Sequence, residues 1–218
     1  MHSLPMRLNR YPSLPALILL LPAILGLQGC PAILAGGGMA AVSSLEDRRS
    51  TGTQLDDSAI ESRAASRISE QLGEKAHVNV TAYNRAVLLT GEVWDDGTRA
   101  EVEKIVAGVA NIRSVTNEVQ VSGLSSVTSR ANDTAITAKV KGRFVNVKGL
   151  NPLHVKVVTE AAVVYLLGMV TETEAEAATE LARTTGGVRK VVKVFEYCKS
   201  TDDPCKPTQA PPAKSPRA

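Results

Sequence analysis

The sequence predicts an α+β fold built from two tandem copies of a small α-β-β-α-β domain, each a three-stranded mixed sheet packed on two helices. The main observation is an internal repeat. Val87–Val93 and Val164–Val170 are apolar, strand-forming segments with glycine at the fifth position, 77 residues apart. Two further pairs of matching segments keep the same order: 78–80 with 155–157, and 112–115 with 188–191. Three matched blocks in one order indicate a duplicated domain.

Hydrophobic spacing places the elements of the first repeat. The residues Ile60, Ala64, Ile68 and Leu72 recur every four positions, which predicts one face of a helix that starts near Asp56 and ends at Gly73. A hairpin of two strands follows, with its turn at Asn84-Arg85. The remaining elements are a helix that opens at Asp95-Asp96-Gly97 and a third strand over 112–121.

The second repeat has the same order of elements. Its first helix is expected to start at Asn132-Asp133-Thr134 and to direct Ile136, Val140 and Phe144 into a core. A hairpin over 154–159 and 163–170, a helix over 172–184 and a strand over 188–197 complete it. We expect Gly91 and Gly168 to be structural, because a glycine inside a strand marks a bulge or the close approach of another backbone.

The N-terminal segment has the pattern of a secretory signal. Arg7 and Arg10 precede an apolar segment over 13–27. This segment is too short and too rich in proline for a membrane-spanning helix, which needs ~20 residues. Leu27-Gln28-Gly29-Cys30 follows and is similar to the bacterial lipobox, in which the cysteine is acylated and the signal is removed. The alternative is an ordinary signal peptide followed by an unrelated cysteine. We therefore expect a signal over 1–29 and a lipidated tether over 30–54.

The composition of the mature chain bounds its chemistry. Without Arg7 and Arg10 the 25 basic residues fall to 23, against 22 acidic ones, and the chain has one tryptophan. A near-neutral chain with few aromatics is not expected to bind nucleic acid. The sequence has no catalytic or phosphate-binding motif, so we expect no catalytic residue, no metal site and no cofactor.

The two cysteines of the mature body bracket six residues. Cys198 and Cys205 are expected to form a disulfide in an oxidising compartment, because the alternative, a metal pair, lacks two further ligands. The predicted organisation is domain 1 over 55–122, a linker over 123–130, domain 2 over 131–198 and a proline-rich tail over 199–218.

Four segments of this chain resemble the lipoproteins of the bacterial envelope that carry two BON domains. These are 49–57, 78–83, 129–134 and 168–175. The resemblance implies a non-enzymatic lipoprotein on the periplasmic face of the outer membrane. It also implies binding to anionic phospholipids, such as phosphatidylglycerol and cardiolipin, through the second domain. The implied roles are support of outer-membrane integrity, gathering at division sites and a link to the machinery that assembles outer-membrane proteins.

The charge distribution favours the second domain as the lipid-binding one. Residues 56–122 contain 7 basic and 11 acidic residues, whereas residues 131–198 contain 9 and 7. The positive charge of domain 2 is concentrated in its first helix and in the residues that follow, which include Lys148 and Lys156. The expected lipid-contacting residues are Thr134, Ala135, Ala138, Lys139, Lys141, Gly142, Arg143 and Val145. Ala135 departs from the family, which can have tryptophan there, so we expect electrostatic binding. The alternative is a solvated helix face.

Two rival functions remain open at this point. A periplasmic scaffold or chaperone-like protein would hold a protein partner, and charge reversal at Lys139, Lys141 and Arg143 would spare that function. An enzyme is the third possibility, which is disfavoured because His77 and His154 occupy equivalent repeat positions. The acidic residues of the last helix, Glu172 to Glu180, are expected to be solvated.

Overall fold

The computed structural model describes residues 47–123, 125–145, 147–203 and 205. The signal segment and Cys30 lie outside the described residues. Domain 1 contains α1 (Thr51–Leu72), β1 (Ala76–Tyr83), β2 (Ala86–Val93), α2 (Asp96–Ala107), β3 (Ser114–Asn117) and β4 (Gln120–Val121). Domain 2 contains α3 (Val127–Val145), β5 (Val155–Glu160), β6 (Val163–Val170), α4 (Glu172–Arg183) and β7 (Lys190–Tyr197).

Both sheets have the same mixed topology. The central strand of each, β2 or β6, is antiparallel to the strand before it and parallel to the strand after it. The predicted α+β class and the duplicated domain are confirmed. The third strand of domain 1 differs from the prediction, because it is divided into β3 and β4. The side chain of Asn117 accepts a hydrogen bond from the Val119 amide at 3.2 Å, and Val119 enters the core.

Three apolar clusters stabilise the two domains. The predicted faces of α1 and α3 are buried against their own sheets, including Ile60 and Leu72 in domain 1 and Ile136 and Phe144 in domain 2. A third cluster lies between the two sheets and joins Tyr83 and Leu88 to domain 2 residues: Tyr165, Leu167, Met169 and Cys205. The layers therefore follow the order helices, sheet, sheet, helices. Both domains belong to one compact unit.

The first helix of each domain begins before its predicted start. The helix α1 begins at Thr51 because the Ser50 side chain accepts a hydrogen bond from the Thr53 amide at 3.1 Å. The helix α3 begins at Val127, inside the predicted linker, because Ser126 accepts from the Ser129 amide in the same way. Serine caps therefore set both starts.

Asp57 and Asp133 hold hairpin turns instead of capping helices. The carboxylate of Asp57 accepts hydrogen bonds from the amides of Asn84 and Arg85 at 2.8 and 2.7 Å. Asp133 accepts from the amides of Ala161 and Ala162 at 2.9 and 2.8 Å. All four turn residues have positive φ, as a two-residue hairpin turn of the primed type requires. The turn at Asn84-Arg85 was predicted; its attachment to the helix was not.

We expect Asp133→Ala to lower the free energy of unfolding by about 2 kcal/mol, because it leaves two amides without acceptors. Urea unfolding followed by circular dichroism measures this. The matched control is Asn132→Ala, which changes an exposed neighbour in the same helix and is expected to cost less than about 0.5 kcal/mol. Equal unfolding midpoints for the two variants would contradict the role given to Asp133.

Gly91 and Gly168 lie where the backbone beside the neighbouring antiparallel strand comes very close. A Cβ atom built on Gly91 would overlap the carbonyl oxygen of His77, and one on Gly168 would overlap that of His154. Gly91 also has φ of 113°, a conformation that other residues rarely adopt. The two glycines therefore occupy equivalent positions and allow the same close approach of backbone in both domains.

Residues Asp47, Arg48 and Arg49 form an arginine strap in a part of the chain predicted to be tether. The Arg48 guanidinium is buried and donates to both carboxylate oxygens of Glu174 at 2.7 and 3.0 Å, and to the Met169 carbonyl at 2.8 Å. Arg49 lies 4.1 Å from the ring centre of Tyr83 and pairs with Asp57 at 2.9 Å. Adjacent residues therefore bind different domains. The expectation of a polar tether is wrong for these residues.

The burial of Glu174 corrects the expectation that the acidic residues of the last helix are solvated. Besides Arg48, it accepts a hydrogen bond from the Thr171 amide at 2.8 Å, which completes a capping box at the start of α4. Burial alone would raise the pKa of Glu174. The hydrogen bonds from Arg48 and Thr171, together with the Arg48 charge, outweigh burial and lower the pKa to about 2.

Cys198 and Cys205 are joined by a disulfide, with 6.1 Å between their Cα atoms. Cys205 is buried in the cluster between the sheets, although its segment was predicted to be a tail. The disulfide loop therefore covers part of the contact between the domains.

Candidate lipid-contact surface

The helix α3 divides into a buried face and an outward face. Asp133, Ile136, Val140 and Phe144 are buried against the sheet of domain 2. Asp133 is the only acidic residue of the helix, so the outward face has no negative side chain. Because residues three and four apart are neighbours on a helix, the outward positions form one continuous strip.

Most of the predicted lipid-contacting residues lie on this strip. Thr134, Ala135, Ala138, Lys139, Lys141, Gly142 and Val145 are all exposed, and the Val145 side chain is 68% exposed. Helical spacing places Lys139 on one side of the small residues and Lys141 on the other. Within the part of the chain that the structure describes, neither lysine is paired with an acid. We name this strip the α3 face.

Arg143 is the exception among the predicted residues. Its Nη1 atom donates to the Leu181 carbonyl at 2.7 Å and to the Thr184 and Thr185 hydroxyls at 3.0 Å each. These groups lie at the end of α4, where a cation is stabilised by the helix dipole. Arg143 therefore connects two helices of domain 2 and does not belong to the α3 face.

Lys156 also lies away from the α3 face. Its ammonium group pairs with Glu61 of domain 1 at 2.9 Å and donates to the Ala82 carbonyl at 3.3 Å. Part of the positive charge that was expected to favour lipid binding therefore forms an ion pair between the two domains. Lys148, just after α3, stays exposed.

Sequence reasoning missed two residues of the α3 face, Val127 and Ala131. Val127 is 77% exposed, the most exposed of the large apolar residues described. Its segment was predicted to be a linker. The one sequence feature that indicates an earlier helix start is Ser126, a residue type that caps helices. Val127 and Val145 lie at the two ends of the strip, with Ala131, Ala135, Ala138 and Gly142 between them. The surface is shallow, apolar along its centre and basic at its sides.

The described residues contain no group of three or more His, Cys, Asp or Glu side chains arranged to hold a metal ion. The two histidines among the described residues lie near glutamates. The Nδ1 atom of His77 is 3.2 Å from Glu92, and that of His154 is 3.3 Å from Glu174. Both glutamates are buried, and His154 and Glu174 belong to the surroundings of the arginine strap.

Comparison with known proteins matches both repeats to one family. The BON domain pattern matches residues 56–123 and again residues 132–199. The chain belongs to the BON domain family. Its two BON domains are the two α-β-β-α-β units described above, and the resemblance seen in the sequence is confirmed.

Three relatives with BON domains are similar over most of their lengths. The outer membrane lipoprotein DolP of Haemophilus influenzae is 36% identical over 84% of this chain and 96% of its own. The 21 kDa hemolysin of Actinobacillus pleuropneumoniae is 36% identical over 69% of this chain and 79% of its own. The osmotically-inducible protein Y of Escherichia coli is 29% identical over 64% of this chain and 72% of its own.

The similarity to DolP confirms the predicted location at the outer membrane. Among the helices of the described residues, none has the length and apolar character needed to cross a membrane. The acylation of Cys30 and the residues of the α3 face stay predictions.

Proposed function

We propose that this tandem BON protein is a non-enzymatic lipoprotein, anchored through Cys30, that binds anionic phospholipid with the α3 face of domain 2. By this binding it supports the integrity of the outer membrane and gathers at division sites. The ligands are phosphatidylglycerol and cardiolipin, whose headgroups are negatively charged.

The observation that carries this proposal is the charge pattern of α3. This helix of nineteen residues has its single acid on the buried face and has Lys139 and Lys141 exposed beside small residues on the outward face. Small residues let the helix axis approach a flat surface closely. Each lysine near an anionic membrane contributes about 1 kcal/mol, within a Debye length of about 10 Å at 0.1 M salt.

The anchor and the α3 face have different tasks in this proposal. The acyl chains on Cys30 supply residence in the membrane, at about 0.8 kcal/mol for each buried methylene. The α3 face adds a weaker interaction that depends on local lipid charge. The protein would therefore concentrate where anionic lipid is dense.

We expect Lys139→Glu/Lys141→Glu to weaken binding to vesicles by at least about 30-fold, the equivalent of losing two such lysine contacts. The chain from residue 43 onward, which lacks Cys30, is floated with vesicles of increasing phosphatidylglycerol or cardiolipin content. High salt is expected to weaken the binding of the unchanged protein as well.

The matched control reverses two exposed cations of domain 1, Arg63→Glu/Lys104→Glu, and so changes the net charge equally. It should bind vesicles far better than the α3 variant. Equal loss in both variants would mean that total charge, not the α3 face, governs binding. If the unchanged protein floats with no vesicle, the alternative becomes favoured, a periplasmic scaffold for a partner in outer-membrane protein assembly.

A further inference from the structure

Strand β7 forms an open edge of the sheet in domain 2. It pairs with β6 along one side, and the strand order β5, β6, β7 leaves its other side without a neighbouring strand. The strand has eight residues and no proline, and it exposes Lys190, Lys193 and Tyr197. Among the described residues, no side chain or loop forms a hydrogen bond with the outer backbone groups of this strand. A strand with unpaired amides and carbonyls can be paired by a second strand.

The other sheet edges of the described domains are shorter or already engaged. In β1, the amide of Ala82 donates to Glu61 at 2.8 Å and its carbonyl accepts from Lys156 at 3.3 Å. The strand β3 has four residues and β5 has six. The outer side of β7 is therefore the longest edge without such contacts, and we name it the β7 edge.

The side chains of β7 alternate between two layers of the molecule. Val192 and Val194 lie in the cluster between the two sheets, and Val191 and Phe195 lie in the core beneath the helices of domain 2. Successive side chains of a strand point to opposite faces of the sheet. Even-numbered residues of β7 therefore face domain 1, and odd-numbered residues face the helix layer.

The sequence of β7 is complementary to itself in one antiparallel register. Two copies related by a two-fold axis perpendicular to the sheet pair residues of the same face. With the axis at Lys193, Lys190 of each copy lies opposite Glu196 of the other, and Val192 lies opposite Val194. The like-charged contact of this register is Lys193 with its own copy at the axis. Cross-strand pairs of opposite charge and of β-branched residues stabilise antiparallel strands.

Glu196 keeps its charge at this edge. Arg113 donates to both of its carboxylate oxygens, to Oε1 at 2.9 Å, and Asn84 donates to Oε2 at 2.7 Å. The hydrogen bond from Arg113 is the largest influence on the pKa of Glu196 and lowers it, so the carboxylate is ionised at neutral pH. Because an ionised carboxylate has about four acceptor sites, it can also accept a hydrogen bond from Lys190 of a second copy.

We propose that two copies of this protein associate through the β7 edge in this antiparallel register, which joins the two three-stranded sheets of domain 2 into one continuous sheet. The occupant of the edge is thus a second copy of the chain, selected by the charges of Lys190 and Glu196. The association itself does not depend on lipid binding.

The symmetry of this pairing determines how the α3 faces are placed. A two-fold axis perpendicular to the sheet keeps the helix layers of both copies on the same side of the joined sheet. The two α3 faces then point in one direction and can meet one membrane together. This consequence rests on the proposed lipid-binding function.

The association is expected to be weak in dilute solution. One pair of eight-residue strands is a small interface beside the ~1,200 Å² or more of a stable protein complex. Proteins anchored in one membrane have a higher effective concentration than proteins in solution. The experiment therefore uses the full chain in the envelope of a Gram-negative bacterium that expresses it.

The substitution Lys193→Cys tests the register directly. The two-fold axis places this residue opposite its own copy, where the Cβ atoms of paired residues are about 5 Å apart. Treatment of the envelopes with a short bis-maleimide is expected to yield a covalent dimer, and the unchanged chain should yield none. Absence of a dimer at this position overturns the inference.

The matched control is Lys190→Cys, which changes an exposed lysine of the same strand. In the proposed register the two copies of this residue lie about 20 Å apart along the strands, so little cross-linking is expected. Equal yields at positions 190 and 193 would indicate random collision and overturn the inference.

A charge variant tests what selects the second copy. In the Lys193→Cys background, Lys190→Glu places a glutamate opposite Glu196 at both ends of the pairing, and it should lower the cross-linked yield about tenfold. Arg63→Glu makes the same charge change on α1, in the helix layer of domain 1, and should leave the yield unchanged. Equal effects of the two substitutions overturn the inference.

The outcomes separate this inference from the proposed function. Vesicle binding without cross-linking at position 193 overturns the inference and leaves the function standing. Cross-linking at position 193 without vesicle binding supports the association and overturns the function. A cross-link from position 193 to a different envelope protein, in place of the dimer, overturns self-association and makes the β7 edge a docking strand for that protein.

Discussion

Arg48→Ala is expected to lower the free energy of unfolding by about 3–5 kcal/mol, because it leaves the carboxylate of Glu174 buried without its cation. Arg48 and Glu174 are both buried, and their two hydrogen bonds measure 2.7 and 3.0 Å. Urea unfolding of the chain from residue 43 measures the change. Arg63→Ala, which removes an exposed arginine from α1, should cost less than about 0.5 kcal/mol.

The pH dependence of unfolding gives this prediction a second readout. The pKa of Glu174 falls from 4.5 to about 2 in the folded protein. A depressed acid pKa contributes stability above its unfolded value, and that contribution disappears as pH falls from about 4.5 towards 2. In Arg48→Ala this loss of stability at low pH should be smaller, because Glu174 no longer has the arginine that lowers its pKa. A pH profile parallel to that of the unchanged protein would contradict the role of the arginine strap.

Gly168→Ala is expected to destabilise domain 2 by about 3 kcal/mol or more, because the added methyl group would overlap the His154 carbonyl oxygen. The neighbouring atom is the backbone carbonyl oxygen of the residue just before β5, and Val155, the first residue of β5, pairs with Gly168, so this oxygen cannot move aside without disturbing the start of β5 on β6. The same substitution at Gly91 should act similarly on domain 1, with additional strain from its positive φ.

Gly142→Ala is the matched control for this substitution. An added Cβ at Gly142 would meet no atom within 4 Å, and alanine is favoured over glycine in a helix interior by about 1 kcal/mol. Thermal unfolding should therefore show opposite shifts for the two Gly→Ala variants. A small effect at Gly168 would mean that the backbone at His154 adjusts more easily than its geometry indicates.

Local patterns predicted the repeated parts of this fold. Four-residue spacing located the buried faces of α1 and α3, and the repeated glycine located the central strands. The turn at Asn84-Arg85 was also predicted, and asparagine at its first position tolerates the positive φ found there. These features depend on neighbours in sequence, so periodicity and turn chemistry were enough to find them.

Contacts between residues far apart in the sequence account for most of the differences between the predicted and the observed structure. Asp57 and Asp133 look like helix caps in sequence, but their partners lie 27 to 29 residues away. Arg48 pairs with Glu174 across 126 residues, which no local pattern indicates. Arg143 was predicted to contact lipid and Lys156 was counted in the positive charge of domain 2, and the tertiary structure gives both of them other partners.

The arginine strap has a mechanical consequence for a protein held by its N-terminus. Tension transmitted along the chain from a membrane anchor meets Arg48 and Arg49 before it meets α1. The force is then divided in parallel between an ion pair with domain 2, at Glu174, and one with domain 1, at Asp57. Pulling on the anchor therefore applies force to both domains where they meet, and the first turn of α1 does not carry that force by itself.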